Sequence, residues 1–157
     1  MASGWRIVPE ERAEDAFVGE GAKGYGGRWN SPGFAVVYGS QHKSLAALEL
    51  LVHINPGLAR RFKAFSFHFP DSLVHTVPVS KLPAHWRMEP PPPSTQQVGD
   101  DWIREARSAV LAVPSIIVPE ELNYLLSPAH ADFPKIRISR SQDFVYDPRL
   151  RIRGTVV

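Results

Sequence analysis

Two glycines followed by an arginine form a segment of this chain whose composition suits ligand binding. The segment reads Gly26-Gly27-Arg28-Trp29-Asn30. Glycines let a backbone approach a ligand closely, and a guanidinium offers a planar set of donors that matches a phosphate or diphosphate. The spacing matches neither the GxxxxGK[ST] nor the GxGxxG phosphate-binding motif. A surface turn with a solvated arginine is therefore an open alternative.

Glu49 is a carboxylate in the most apolar helical segment of the chain. It lies between Leu45 and Val52, four residues after Leu45 and next to Leu48. This spacing places it on or beside the buried stripe of a helix. A carboxylate there needs a partner, because an unpaired buried charge is costly. Glu49 is thus either the polar edge of this helix or a catalytic carboxylate that faces a cleft.

Tyr38 and Ser115 lie at the ends of apolar runs. Tyr38 closes the predicted strand Phe34–Tyr38, and strand ends are where sheets of the α/β type often bind ligands. Ser115 follows Pro114 and enters the apolar run that ends at Val118. Taken singly, a core aromatic and a buried serine bonded to the backbone explain these two residues equally well.

The first half of the chain reads as strand, helix, loop, strand and helix. Gly4 to Val8 predicts a short strand, and Pro9 to Phe17 a helix with proline at its start. Gly19 to Gly27 holds five glycines in nine residues, which favours an irregular segment. The apolar run Phe34–Tyr38 predicts a strand, and the leucine spacing in His42–Ile54 predicts a helix.

The second half alternates less regularly. Phe62–Phe69 and Leu73–Val79 predict strands, and the proline run Pro90–Pro93 breaks the chain between its two halves. Asp100 or Asp101 is predicted to cap a helix that continues to about Val113. Further short strands are predicted at Ser115–Val118, Lys135–Ile138 and Phe144–Tyr146. Helices and strands without a regular βαβ repeat indicate an α+β fold.

The composition limits the class of protein. A chain of 157 residues with 43% hydrophobic residues predicts a single domain over residues 1–157, with its core at about 4–150. The lack of cysteine excludes disulfides, thiolate zinc sites and cysteine nucleophiles. The N-terminal segment has no apolar signal region, and no run of about 18 uncharged apolar residues occurs. We therefore expect a cytoplasmic protein without a membrane span.

Charge and histidine spacing narrow the candidate ligands. The six histidines show no HExxH or other close ligand spacing, so we predict no metal site. The formal net charge is +2 and the pI is about 9.1, with basic residues spread along the chain. A basic pocket for a phosphorylated ligand explains this charge as well as nucleic-acid binding does.

Four separated motifs together resemble the RES domain, a family named for its arginine, glutamate and serine. In chain order they read GGRWN, FAVVYGS, SLAALELLVHI and VPSIIVPEELNYLLSPAHADF. The resemblance runs from Trp5-Arg6 to about Pro148, and several motifs agree in order and approximate spacing. One departure is Ser127-Pro128-Ala129-His130, where relatives often have Asn-Pro-x-His.

The resemblance implies a fold similar to the ADP-ribosyltransferase core and an activity that uses NAD as its substrate. Carried over by position, the implied catalytic residues are Glu49, Arg28, Tyr38 and Ser115. The implied NAD-binding residues are Arg28, Tyr38, Arg6, Gly27 and Asn30. No metal is required by this activity.

The chemistry of NAD cleavage agrees with a single carboxylate. Breaking the nicotinamide–ribose bond releases a neutral amide from a cationic pyridinium, so the leaving group needs no proton. The ribose becomes oxocarbenium-like, as in glycoside hydrolysis, and a carboxylate such as Glu49 would stabilise that charge.

The predicted function is therefore that of a toxin that cleaves NAD as a glycohydrolase or phosphorylase, depletes cellular NAD and arrests growth. Transfer of ADP-ribose to a protein is the alternative. The resemblance also implies an Xre-like antitoxin with a helix-turn-helix part. The antitoxin would bind DNA, and this chain would not contact nucleic acid directly. Self-association of the toxin as a homodimer within that complex is a further expectation.

Two readings from other classes stay open. The pI, four tryptophans and scattered histidines are compatible with an RNA-binding or RNA-cleaving toxin, although no stripe of arginine and lysine is visible. An exposed polyproline segment at Pro90–Pro93 is compatible with a non-enzymatic interaction module. Salt-sensitive RNA binding would favour the RNA-directed toxin. A Glu49→Ala substitution that has no effect would favour the interaction module.

Overall fold

A computed structural model describes residues 1–54 and 61–150 of the chain. In these ranges the chain forms one mixed sheet of eight strands and three α-helices, which confirms the predicted α+β class. The strands are β1 (Ala2–Pro9), β2 (Val37–Ser40), β3 (Phe62–Phe69), β4 (Val74–Thr76), β5 (Val110–Pro114), β6 (Leu122–Leu126), β7 (Arg137–Ile138) and β8 (Gln142–Phe144). The helices are α1 (Glu20–Tyr25), α2 (Lys43–Leu51) and α3 (Pro93–Arg104).

The order of strands in the sheet brings distant parts of the chain together. The order is β4-β5-β6-β2-β1-β3-β7, with β8 also paired to β3. Only β4 and β5 run parallel among the pairs formed by the described residues. Strand β2 lies between β1 and β6, and Ser40 of β2 is directly opposite Asn123 of β6. Cross-strand neighbours of this kind have side chains within contact distance.

Strand β5 is buried on both faces of the sheet. Val110 and Ala112 face one apolar cluster, which also contains Phe67, and Leu111 and Val113 face a second cluster. All four β5 residues are at most 1% exposed. A continuous apolar run is typical of a strand covered on both sides. The predicted helix from Asp100 or Asp101 to Val113 is therefore wrong in its second half, which is strand.

Helix α3 begins inside the proline run that was predicted to break the chain. Pro92 has φ −66° and ψ 150° and precedes Pro93, the first helical residue. Proline suits this position because its φ is already close to helical and its missing N–H has no partner in the first turn. Near the other end of α3, the indole of Trp102 is buried and donates to the Ser108 hydroxyl at 2.9 Å.

Helix α2 packs against β1 and β2 and is the element that presents Glu49. Its core contact is made by Leu45 and Ala46, whereas Leu48 is 40% exposed. The leucine stripe that was expected to be buried is thus only partly buried. The helix also contacts the sheet through Ala46, which packs against Ile7 and Ala64. The predicted helix His42–Ile54 is confirmed with shorter ends.

The helix predicted at Pro9–Phe17 is wrong. Only Glu10–Arg12 forms a single 3-10 turn, followed by further turns. The Glu10 amide donates to the Arg61 carbonyl at 3.0 Å, which continues the ladder of β1 and β3. The Ala16 carbonyl accepts a hydrogen bond from the Arg6 guanidinium. These contacts hold the segment against the sheet in place of a helical hydrogen-bond pattern.

The glycine-rich segment expected to be irregular contains the six-residue helix α1. Gly19 and Gly26 flank it with φ of 81° and 74°, a conformation that favours glycine. Two glycines therefore delimit the helix, and the segment differs from the expectation because Gly21 and Gly24 are tolerated inside it.

Several strand boundaries also differ from expectation. Strands were predicted at Gly4–Val8, Phe62–Phe69 and Leu73–Val79, and all three exist, the last only as Val74–Thr76. The strands expected at Phe34–Tyr38, Lys135–Ile138 and Phe144–Tyr146 are Val37–Ser40, Arg137–Ile138 and Gln142–Phe144. Strand β6 was not predicted. Among the described residues, no helix has the length and apolar character needed to cross a membrane.

Candidate active site

A cavity of about 800 Å³ opens between α2, the start of α3 and the segment around residue 27. Its volume is in the range of sites that bind small molecules and cofactors. The residues predicted from the sequence that line it are Arg6, Gly27, Arg28, Tyr38 and Glu49. Apolar walls are contributed by residues such as Ile7, Leu50 and Ile116.

One carboxylate oxygen of Glu49 accepts two hydrogen bonds, and the other accepts none from the residues that the structure describes. Its Oε1 accepts hydrogen bonds from the Ser115 hydroxyl and from the Asn123 side-chain amide, both at 2.7 Å. Within residues 1–54 and 61–150, no hydrogen bond to Oε2 is found. Two donors on one oxygen fix the orientation of the carboxylate and leave the second oxygen for a ligand.

Ser115 is placed by a tight turn that follows β5. The residue is fully buried, and its hydroxyl accepts hydrogen bonds from the amides of Ile117 and Val118 at 3.0 and 3.1 Å. The expected strand Ser115–Val118 is therefore wrong, because these bonds curl the chain back on itself. With its lone pairs engaged, the hydroxyl directs its hydrogen to Glu49.

Asn123 completes the environment of Glu49 and was missed by sequence reasoning. Its side-chain oxygen accepts a hydrogen bond from Ser40 at 2.7 Å, so its amide nitrogen turns to Glu49. A signal was present, since a lone asparagine stands in the apolar run Leu122–Leu126 much as Glu49 stands in α2. The strand that carries it was not predicted, and the signal was therefore overlooked.

Tyr38 holds the loop that carries Gly27 and Arg28. Its hydroxyl donates to the Asn30 side chain at 2.5 Å and accepts from the Trp29 amide at 3.2 Å. Asn30 is fully buried behind the loop and is not part of the cavity wall. A Cβ on Gly27 would lie 2.6 Å from the Tyr38 hydroxyl, so this loop position requires glycine.

We expect Tyr38→Phe to lower the free energy of unfolding by about 1–2 kcal/mol, because Asn30 and the Trp29 amide both lose a buried partner. Urea denaturation measures the difference. Tyr25→Phe is the control, since Tyr25 is 89% exposed. Equal stability of the two variants would contradict this role for the Tyr38 hydroxyl.

The same hydroxyl makes stability depend on pH. Burial raises the pKa of Tyr38 well above its usual value of 10.0 and outweighs the opposite effect of the Trp29 amide. The stabilisation from the protonated hydroxyl is therefore complete below about pH 10 and is lost as the pH rises further. Between pH 10 and 11, the free energy of unfolding should fall more steeply in the wild type than in Tyr38→Phe. Parallel curves would rule out this contribution.

Arg28 faces the cavity, and its guanidinium is engaged by the segment before α3. One terminal nitrogen, Nη1, donates to the carbonyls of Trp86 and Met88 at 3.1 and 2.7 Å. The other, Nη2, forms an ion pair with Glu89 at 2.5 Å. The Arg28 side chain is 12% exposed and that of Glu89 is 73% exposed. Arg28 is thus positioned by the Trp86 and Met88 carbonyls and paired with the exposed Glu89 carboxylate.

Arg6 places a second guanidinium in the wall of the cavity. Its Nε donates to the Ala16 carbonyl at 2.6 Å and its Nη1 to the Tyr38 carbonyl at 2.7 Å. No ion pair to Arg6 is found in the part of the chain that the structure describes. Burial, followed by repulsion from Arg12, lowers the pKa of Arg6 to about 10. The side chain is therefore still a cation at neutral pH.

Besides Ser40 and Asn123, the cavity is lined by further polar residues that sequence analysis did not select, among them His53, Glu89 and Gln96. The Gln96 amide donates to the Gly27 carbonyl at 3.0 Å and so ties α3 to the loop. His53 follows Glu49 by four residues. Across residues 1–54 and 61–150, no group of three or more histidine, aspartate or glutamate side chains is arranged to hold a metal ion.

Comparison with known sequences gives concordant matches over nearly the whole chain. Residues 4–147 match the sequence model of the family described as RES domain. A protein named Prs ADP-ribosylating toxin from Sphingobium sp. strain YBL2 is 39% identical over 152 residues, covering 93% of this chain and 94% of that protein. A protein named Toxin Res from Yersinia enterocolitica is 38% identical over 149 residues, covering 94% and 98%.

A solved structure has a similar fold. The crystal structure of the M. tuberculosis MbcT-MbcA toxin-antitoxin complex contains a chain that matches with a TM-score of 0.71. The match covers 95% of the present chain and 86% of that chain, at 18% sequence identity. At this identity the similarity concerns the fold.

Proposed function

Because this chain belongs to the RES-domain family, we propose that it is a toxin that cleaves NAD at the nicotinamide–ribose bond. The observation that carries the proposal is the environment of Glu49, whose Oε1 is held by Ser115 and Asn123, while no residue in 1–54 or 61–150 donates to its Oε2. The cavity around it also has two guanidiniums, Arg6 and Arg28. A carboxylate and two cations that line one cavity suit a ligand with a reactive sugar carbon and a diphosphate.

The charges of these three groups match those of NAD. Arg6 and Arg28 are positive and Glu49 is negative, which leaves one net positive charge. NAD carries two negative charges on its diphosphate and one positive charge on its nicotinamide ring. The guanidiniums would hold the diphosphate, and Glu49 would face the ribose of the nicotinamide half, with Tyr38 and the backbone of Gly27 lining the space beside it.

In the proposed reaction the bond between the nicotinamide nitrogen and ribose C1′ breaks first. Its electron pair leaves with the nicotinamide, which becomes neutral, and positive charge develops on C1′ and the ring oxygen. Glu49 stabilises this charge through Oε2 and holds a ribose hydroxyl. An acceptor oxygen or nitrogen then bonds to C1′ and loses its proton to solvent. No metal enters any of these steps.

Ser115 and Asn123 act as positioning residues in this scheme, because both contact Glu49 and neither is required to touch NAD. We expect Asn123→Ala to lower kcat about tenfold and to change KM by less than about twofold, since a freely rotating carboxylate spends less time in the reactive orientation. Ser115→Ala should act in the same direction. Steady-state kinetics of nicotinamide release measure both constants.

Ser44→Ala is a suitable control for these variants, because Ser44 is exposed on α2. A purely structural role of Asn123 would lower the amount of folded protein and leave kcat per folded molecule unchanged. A rise in KM at unchanged kcat would instead indicate that Asn123 binds the substrate and would contradict the positioning role.

The proposed activity is tested by incubating the purified protein with NAD and separating the products. Release of nicotinamide together with free ADP-ribose identifies water as the acceptor, and a phosphorylated ADP-ribose identifies inorganic phosphate. We propose consumption of free NAD as the principal activity. If no nicotinamide is released with water, phosphate or cell extract as acceptor, the proposal is wrong.

Transfer of ADP-ribose to a protein is a second candidate. It is favoured by the name of the Sphingobium relative, an ADP-ribosylating toxin. NAD that is radiolabelled in its ADP-ribose part and incubated with cell extract distinguishes the two activities. Transfer places the label on a protein, and cleavage leaves it in a small molecule. The cavity geometry alone admits either acceptor.

We also propose that the chain is cytoplasmic and is neutralised by an antitoxin of the Xre type. A chain of similar fold is part of a crystallised toxin-antitoxin complex. An acidic antitoxin segment placed over the two guanidiniums would block the diphosphate position. Homodimer formation within such a complex stays a prediction. Co-purification with an Xre-type antitoxin, followed by mass measurement of the complex, tests antitoxin binding and homodimer formation.

A further inference from the structure

The guanidinium proposed to bind diphosphate already has an anionic partner within the chain. Glu89 contacts Arg28 Nη2 at 2.5 Å, and both side chains line the cavity. Arg28 Nη1 is used for the carbonyls of Trp86 and Met88. A guanidinium has five N–H donors, so Glu89 occupies one of the few that are directed away from these carbonyls.

The two kinds of contact to Arg28 differ in how readily they can be replaced. The carbonyls belong to the backbone and fix the plane of the guanidinium. Glu89 is a flexible side chain that is 73% exposed, so it can rotate into solvent and remain hydrated. A diphosphate oxygen that approached Arg28 would therefore replace Glu89 and leave the carbonyl contacts intact.

Displacement of Glu89 also changes the charge of the cavity. With Glu89 on Arg28, the charged residues of the wall are Arg6, Arg28, Glu49 and Glu89, and their formal charges sum to zero. Without Glu89 the sum is one positive charge, the complement of NAD. The position of the Glu89 carboxylate therefore determines whether the cavity is neutral or carries the positive charge that attracts the proposed substrate.

We propose that Glu89 competes with the diphosphate of the substrate for Arg28 and so sets how tightly anionic ligands bind there. This inference rests on the proposed function and adds to it a residue that controls substrate affinity. A diphosphate displaces Glu89 because it offers several oxygens and a higher charge to the same donors. A ligand with a single carboxylate has no such advantage and is disfavoured.

The test is the Glu89→Gln variant of the full chain, which keeps the shape of the side chain and removes its charge. We expect it to bind ADP-ribose and inorganic pyrophosphate about three- to tenfold more tightly than the wild type, measured by calorimetry. With NAD, KM should fall by a similar factor while kcat does not rise, because only binding is affected. Acetate should gain by the same factor or less, since displacing Glu89 costs the same free energy whichever anion replaces it and a single charge is repelled less by Glu89.

Glu14→Gln is the matched control, because it removes one exposed carboxylate that lines neither this cavity nor the smaller one beside Arg6. Its affinities should equal those of the wild type. In an Arg28→Lys background, Glu89→Gln should have a smaller effect, because lysine lacks the planar fork that both anions share.

If Glu89→Gln binds ADP-ribose and pyrophosphate no more tightly than the wild type, the proposed competition is wrong. Glu89 would then only connect the segment before α3 to Arg28. This result is distinguishable from failure of the proposed function. If the wild type releases nicotinamide but Glu89→Gln behaves like Glu14→Gln, only the competition is wrong. If no NAD is cleaved but Glu89→Gln binds pyrophosphate more tightly than Glu14→Gln, the activity is wrong and the competition at Arg28 stands.

Discussion

Replacing Glu49 by alanine is expected to lower the rate of nicotinamide release by a factor of about 10²–10⁴. This corresponds to about 3–5 kcal/mol of transition-state stabilisation, the amount expected when a carboxylate no longer faces a developing cation. Glu49→Gln should lose nearly as much, because the amide keeps the size of the side chain and cannot carry its negative charge. Single-turnover nicotinamide release, with product separation, measures the loss.

The folded state of both Glu49 variants must be established independently. Glu49→Ala leaves both the Ser115 hydroxyl and the Asn123 amide without their acceptor, whereas Glu49→Gln keeps one acceptor oxygen, so thermal unfolding and circular dichroism should accompany the kinetics. Glu14→Gln, an exposed charge removal distant from the cavity, should retain full activity. A loss below tenfold in folded Glu49→Gln would show that Glu49 is not the catalytic carboxylate.

Gly99→Ala is expected to lower the free energy of unfolding by about 3 kcal/mol and to abolish most activity. A Cβ at Gly99 of α3 would lie 1.8 Å from the carbonyl oxygen of Trp29, a backbone atom of the loop that carries Arg28. The surrounding contacts leave little room for adjustment. Gln96 donates to the Gly27 carbonyl, and the Ser31 amide donates to buried Asp100 at 2.9 Å. Helix α3 must therefore move away from the loop.

Chemical denaturation of Gly99→Ala measures this loss. The matched control is Gly24→Ala, because a Cβ at Gly24 of α1 meets no atom within 4 Å. A helical glycine replaced by alanine in open space should gain up to about 1 kcal/mol. If both variants are equally stable, the close approach of α3 to the loop is not a feature of the folded protein. If Gly99→Ala is destabilised yet retains wild-type kcat, the loop does not depend on α3 for its position.

Asp100 shows why the second half of the chain was only partly predictable. An aspartate before an apolar run is typical of a helix start, and the sequence was read in that way. In the structure α3 begins seven residues earlier, at Pro93, and the Asp100 carboxylate binds the amide and hydroxyl of Ser31. The aspartate does cap backbone donors, but they belong to a segment 69 residues away.

The strands show the complementary case. Phe62–Phe69 alternates clearly and was predicted with its correct ends. Val110–Val113 is apolar on every position, so its periodicity could not distinguish a buried strand from the end of a buried helix. Burial on both faces of the sheet decided for the strand. The short run Leu122–Leu126, with polar Asn123 inside it, gave too weak a pattern to be recognised.

The sequence by itself determined the family resemblance, the α+β class and the residue types available for chemistry, because these depend on composition and on local motif order. The motifs led to Glu49, Arg28, Tyr38 and Ser115 without a structure. The structure brings Glu49 and Ser115 together and places Arg28 and Tyr38 in the wall of the same cavity. Their proposed catalytic roles depend on the experiments above.

Only the tertiary structure decided which partner each of these residues has. Glu49 contacts Asn123 across 74 residues of sequence, and Arg28 contacts Glu89 across 61. It also decided that Asn30 is buried on the side of the loop away from the cavity, and that half-buried Arg6 has no carboxylate partner among the described residues. Such contacts arise from the order of strands in the sheet and the docking of α3. Local sequence patterns carry no information about either, because each contact joins segments whose separation along the chain far exceeds the period of a helix or strand.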